Sequence, residues 1–109
     1  YMLLDVNNIY VSSINHAFDP RDYLGAMPWE RVLQMHVAGH TVNDDGTLLD
    51  THDHPVCDEV WELYRQAYLM SGGVSTLLEW DDHFLSFEDT LRQARRALEF
   101  QGVVAAADV

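Results

Sequence analysis

YMLLDV, residues 1–6, is an apolar run broken only by Asp5, and the pattern returns twice downstream. RVLQMHV, residues 31–37, carries His36 near its end, and VSTLLEW, residues 74–80, carries Glu79. Short apolar runs of this kind read as strands buried on both faces, the habit of parallel sheets. Helix signals lie between them. Asp19 and Pro20 supply an N-cap oxygen and then proline at the first helical position, which predicts a short helix through about Ala26, broken by Pro28 and Trp29. Pro55 opens the clearest helix, with Val56, Val60, Leu63, Tyr64, Ala67 and Tyr68 on one stripe and Gly72-Gly73 as its stop. Ser86 begins the last helix, with Asp89 in the capping-box position and Leu91, Ala94, Ala97 and Leu98 inward. Gly102 ends it, leaving residues 102–109 as a loose tail. Residues 38–54 are polar and turn-rich, and Asn43-Asp44-Asp45-Gly46 between Thr41-Val42 and Thr47-Leu48-Leu49 forms a small hairpin.

The order β-α-β-loop-α-β-α implies an α/β fold with parallel strands. Three such units leave both sheet edges open, whereas a closed barrel has eight units in about 250 residues. Residues 1–101 therefore read as part of a (β/α) barrel, about three units of it, or as a sheet completed by a second copy. Tyr1 falling inside an apolar run suits a piece of something longer.

Composition narrows the function. Nearly half of the 109 residues are apolar, which supports a packed core, and the net charge is −12, from 18 acidic against six basic residues. Nucleic acid and anionic lipid are excluded as expected partners, because phosphate binding needs Lys and Arg. Most of the acidic excess is solubility, but a few carboxylates suit metal ligands whose charge a cation cancels. Cys57 is the single cysteine, so neither an internal disulfide nor a thiolate cluster can form, and its place is that of a small buried hydrophobe. With no membrane span or signal peptide in the pattern, a cytoplasmic protein is expected. Trp29, Trp61, Tyr64 and Tyr68 fall at helical or turn positions and read as core, not as a base-stacking platform.

Each strand ends in a residue that a buried strand should not want: Asp5, His36, Glu79. The C-terminal ends of parallel strands form the site in such folds, so these side chains converge on one mouth. Asn8 lies three residues beyond Asp5. Asp50, His52 and His54 alternate in DTHDH, and in an extended segment they project to the same side. Carboxylate, amide oxygen and imidazole without sulfur are a ligand set for Fe(II), Mn(II) or Zn(II). The plainer alternative for His52 and His54 is a surface loop, and for His16, His40 and His83 an isolated or solvent-exposed histidine. Asp81, two residues past Glu79, suits an outer contact or a proton carrier.

LLDVNN, QMHVAGH, DTHDHPV and LLEWD, in this order, resemble the C-terminal part of the multinuclear non-haem iron-dependent oxidative enzymes, the type of the methanobactin-biosynthesis oxidase. The resemblance covers the chain to about Arg96. It implies a xylose-isomerase-like TIM barrel, similar also to the trinuclear-zinc endonuclease four, with this chain supplying the C-terminal portion. It implies two or three irons at the mouth, and dioxygen used to modify cysteines of a ribosomally made precursor peptide with the help of a small leader-binding partner protein. The metal ligands it implies are Asp5, Asn8, His36, Asp50, His52 and Glu79. Asp81 would serve the chemistry, and His40 and His54 would stand just outside the ligands. An amide at Asn8, where the zinc nucleases carry His, favours the iron branch. The family's earlier strands, which supply further histidines and a bridging glutamate, have no counterpart here. The rival expectations are a Zn- or Mn-dependent hydrolase or isomerase on the same barrel, and an inactive barrel fragment that self-associates through its open strand edges.

Overall fold

The computed structural model describes residues 1–81 and 85–107, with side chains through residue 101. Three parallel strands, β1 (Met2–Asp5), β2 (Val32–Val37) and β5 (Ser75–Leu78), form a sheet in the order β1-β2-β5. Asp5 pairs with His36, and His36 with Leu77, so the strand ends stand level. Helices α1 (Val6–His16) and α2 (Pro20–Gly25) lie between β1 and β2, α3 (Asp58–Ser71) lies between β2 and β5, and α4 (Phe87–Ala107) follows β5. These are consecutive βα units of the kind that builds a barrel wall, as the sequence predicts.

The two faces of the sheet differ. Leu4, Met35 and Val37 point into the helical layer and are buried with Val60, Trp61 and Tyr64 of α3. Leu3 and Leu77 lie on the opposite face, 61% and 45% exposed. By register that second face also carries Asp5, Gln34, His36 and Ser75.

Helix α1 is not legible in the pattern, which passes from the first strand directly to the Asp19–Pro20 cap. Its residues VNNIYVSSINH are mostly β-branched or short and polar, poor helix formers by intrinsic propensity. It forms because Asp5, the last residue of β1, accepts a hydrogen bond from the Asn8 backbone at 2.9 Å, and because Val6, Ile9 and Val11 are buried. Tertiary packing and one cap outweigh propensity.

Helix α2 starts as predicted, with Asp19 capping Arg21, and a 3-10 turn at Trp29–Arg31 leads into β2. The predicted hairpin is present as β3 (Thr41–Val42) against β4 (Leu48–Leu49), turning at Gly46 with φ 86. Helix α3 begins at Asp58, not at Pro55: the backbone of His54 and Pro55 lies against Gly39, and Cys57 is still extended as the N-cap. Gly72 ends it at φ 77, the left-handed stop expected.

In α4 the Ser86 hydroxyl accepts from the Asp89 N–H at 3.2 Å, as the capping position requires. The inward stripe is out of phase with the sequence pattern. Ala97 is buried, but Leu98 is 61% and Leu91 37% exposed. Phe100 stacks on Trp61, Arg96 lies over the same indole and Gln101 bonds the Tyr64 hydroxyl, so packing against α3 decides the face. The backbone stays helical past Gly102, where a stop was expected. Among the described residues no helix is long and apolar enough to cross a membrane.

Cys57 is half-buried against the core, and burial pushes its thiol above the usual value. Less thiolate means slower alkylation. Iodoacetamide at pH 8 should label the folded protein at least about tenfold more slowly than the urea-unfolded chain, read by mass spectrometry. Equal rates would show an open thiol.

Candidate metal centre

Residues from the ends of all three parallel strands and from the loop between β4 and α3 meet at the rim of the sheet face that carries Leu3 and Leu77. His52 stands at the centre. Its Nδ1 is 3.0 Å from Glu79 Oε2 and 3.1 Å from Asp81 Oδ2, and its Nε2 is 2.8 Å from Asp50 Oδ1 and 3.9 Å from Asp5 Oδ2. His36 Nδ1 contacts the other Glu79 oxygen, while its Nε2 reaches Gln34 Oε1 at 3.1 Å. Asn8 donates from its amide to Asp50 Oδ2 at 3.1 Å. The predicted set Asp5, Asn8, His36, Asp50, His52 and Glu79 is thus one contact network, with Asp81 on its solvent side.

The backbone explains how. Gly39, just past β2, accepts the His52 N–H at 3.1 Å, and the His52 carbonyl accepts from the Asp81 N–H at 2.6 Å. The Glu79 N–H bonds the Val37 carbonyl at 2.9 Å, extending the β2–β5 ladder to the rim. Between these anchors His52 adopts φ 56, a left-handed conformation uncommon for a residue with a side chain. Such strain collects where surrounding structure over-determines a site.

That same φ corrects the DTHDH expectation. The segment is not extended, so Asp50 and His52 enter the cluster while His54 turns to solvent and pairs with Asp53 at 2.5 Å. The structure does not bring His54 to the centre. His40 is close by, bonded through Nδ1 to Asn7 Oδ1 at 2.9 Å. His16 is exposed at the end of α1, and His83 lies outside the described residues.

Electrostatics follow from the crowding. Burial raises the Asp5 carboxyl, and the neighbouring Asp50 and Glu79 charges add to this, against the Asn8 backbone bond and the His52 charge, which lower it. Burial works against a charged His52, but Asp50, Asp5, Glu79 and Asp81 together prevail and raise it. Burial lowers His40.

Two groups offer donor atoms within 4.8 Å of one another, Asp5–Asp50–His52 and His52–Glu79–Asp81. The chemistry of the donors and one orphaned atom fit a cation: His52 Nε2 is buried and makes no aligned hydrogen bond, though carboxylate oxygens surround it. A ring nitrogen set among carboxylates is a donor that a first-row divalent ion takes up in place of a proton.

Asn7 was not singled out by sequence, yet it is wholly buried and bonds three partners around the cluster. Its signal is helical phase: residues 7 and 11 share the inward face of α1 once that helix is known.

An α/β protein with a nitrogen- and oxygen-donor cluster on the C-terminal rim of its parallel strands is the class that fold and site define. The chain belongs to the family of the RiPP precursor modification enzymes MbnB/TglH/ChrH, whose model matches residues 1–102. It is similar to a UPF0276 protein of Anaeromyxobacter sp. (strain Fw109-5), 49% identical over 107 residues, covering 97% of this chain and 37% of that protein. A UPF0276 protein of Caulobacter vibrioides is 48% identical over 111 residues, 97% of this chain and 39% of its own length. One from Acaryochloris marina is 46% identical over 97 residues, covering 89% and 35%. The chain spans under two-fifths of the relatives' length. The family acts on precursor peptides made by the ribosome.

Proposed function

We propose that this chain supplies part of a multinuclear non-haem iron centre in a cytoplasmic enzyme that uses dioxygen to modify cysteines of a ribosomally made precursor peptide, presented with a small leader-binding partner protein. Asp5, Asn8, His36, Asp50, His52 and Glu79 would hold the metal. The observation that carries the reading is His52, with both ring nitrogens among carboxylates from separate segments and its buried Nε2 lacking an aligned hydrogen bond. Membership of a peptide-modifying family supports the substrate class.

Ferrous iron, when bound, supplies an electron source for dioxygen and a Lewis acid for the substrate thiolate. The protein's own groups do the rest. Asp5, Asp50 and Glu79 offset cationic charge at the rim. Asn8 restrains Asp50 through the 3.1 Å bond. Asp81 is exposed, its carboxylate lies 3.1 Å from His52 Nδ1, and it would pass a proton between solvent and the centre.

The intact protein purified without oxygen should contain about two or three irons, measured by elemental analysis. His52→Ala and Glu79→Ala should each lower that content by at least about tenfold at limiting iron. Unchanged iron in both variants would refute the assignment. Stoichiometric zinc or manganese in the native protein would instead favour a hydrolase or isomerase.

A further inference from the structure

Asn7 is 0% exposed, and every hydrogen-bonding capacity of its amide that the structure shows is directed at the rim. Its Nδ2 donates to the Gly39 carbonyl at 3.2 Å and to Asp50 Oδ1 at 2.5 Å. A carbonyl and a carboxylate only accept, so the amide has one admissible orientation, with the NH2 group towards them. Its Oδ1 must then accept, and the group facing it at 2.9 Å is His40 Nδ1. That nitrogen therefore carries the hydrogen, and a neutral His40 keeps its lone pair on Nε2.

We propose that Asn7 is a positioning residue of the metal centre: its buried amide clamps the Asp50 carboxylate to the end of β2 and selects the Nδ1–H tautomer of His40. This rests on the metal-centre reading above and extends it beyond the ligands. One amide ties together three things the centre needs in register. Asp50 is a donor. Gly39 is the acceptor that anchors the strained His52 backbone. His40 gains a defined acceptor nitrogen. Asn8, the neighbour on the same helix, holds the other Asp50 oxygen from the exposed side. The two adjacent amides thus fix both oxygens of one carboxylate, and such outer partners govern the affinity and geometry of a metal site.

The test uses the intact protein and Co(II), whose visible d–d spectrum reports coordination geometry. The unaltered protein should bind Co(II). Asn7→Ala should bind it about 10- to 100-fold more weakly and with an altered spectrum. Ser13→Ala is the control: Ser13 is also buried on α1, but its hydroxyl bonds Tyr10 O within the helix, so affinity and spectrum should stay as they were. An Asn7→Ala protein with unchanged affinity and spectrum overturns this proposal alone. Failure of the unaltered protein to bind Co(II) overturns the metal reading and this proposal with it. A readout independent of any variant's folding is the His40 tautomer, from ring nitrogen shifts and couplings in 15N-histidine-labelled, zinc-loaded protein. The Nδ1–H form is expected, and an Nε2–H form at His40 overturns the proposal.

Discussion

Gly39→Ala should cost the protein about 3 kcal/mol of stability and weaken its metal binding by about tenfold or more. A Cβ there would overlap the His54 carbonyl and press on the Pro55 carbonyl, both of them backbone. No rotamer change relieves that contact, so the loop carrying Asp50 and His52 must withdraw from β2 by more than an ångström. The withdrawal breaks the bond from His52 N–H to the Gly39 carbonyl, and with it the anchor of the strained φ 56 conformation. His52 would relax towards ordinary backbone geometry and leave the carboxylates. Urea denaturation and metal titration of the same sample measure the two effects. A variant as stable as the parent, with full metal affinity, would show that the loop is not held by this contact.

Trp61→Ala should destabilise the protein by about 3–5 kcal/mol, the range for emptying a large aromatic site. Trp61 is 0% exposed and joins the helical layer: Phe100 stacks on it at 5.3 Å, Tyr64 meets it edge-on at 5.7 Å, and the Arg96 guanidinium lies 5.7 Å over the ring. Its Nε1 is buried without a hydrogen-bond partner. Trp61→Phe therefore forfeits no hydrogen bond and should cost only about 1–2 kcal/mol, the price of a smaller ring. Denaturant midpoints of both variants decide the matter. Equal losses would mean that the indole edge, not the stacking, holds α3 to α4.

The strands and the residues at their ends were readable because an apolar run with one misplaced polar residue is a plain trace, although the run predicted burial on both faces and Leu3 and Leu77 are exposed on one. Asp5, His36 and Glu79 stood out for that reason, and they do converge. Helix α1 left no such trace. Its stability comes from Asp5 as a cap and from contacts with residues far along the chain, neither of which a local pattern records. Missing α1 hid Asn7. Of two adjacent asparagines, only a helix with known phase tells which one faces inward. The alternation in DTHDH misled for a related reason: the positive φ at His52 depends on Gly39 and Asp81, 13 and 29 residues away in sequence. On α4 the pattern placed Ala97 correctly but not Leu91 and Leu98, whose hydrophobicity suggested burial on a face that packing against α3 leaves exposed.

No loop separates β1 from α1. Asp5 closes one and caps the other, and its two oxygens have different work: Oδ1 holds the Asn8 N–H at 2.9 Å, and Oδ2 looks towards His52 Nε2 at 3.9 Å. The helix thereby sets how this carboxylate is turned. While the first turn of α1 is wound, Oδ1 gives one lone pair to that turn, and Oδ2 is the oxygen left facing the centre.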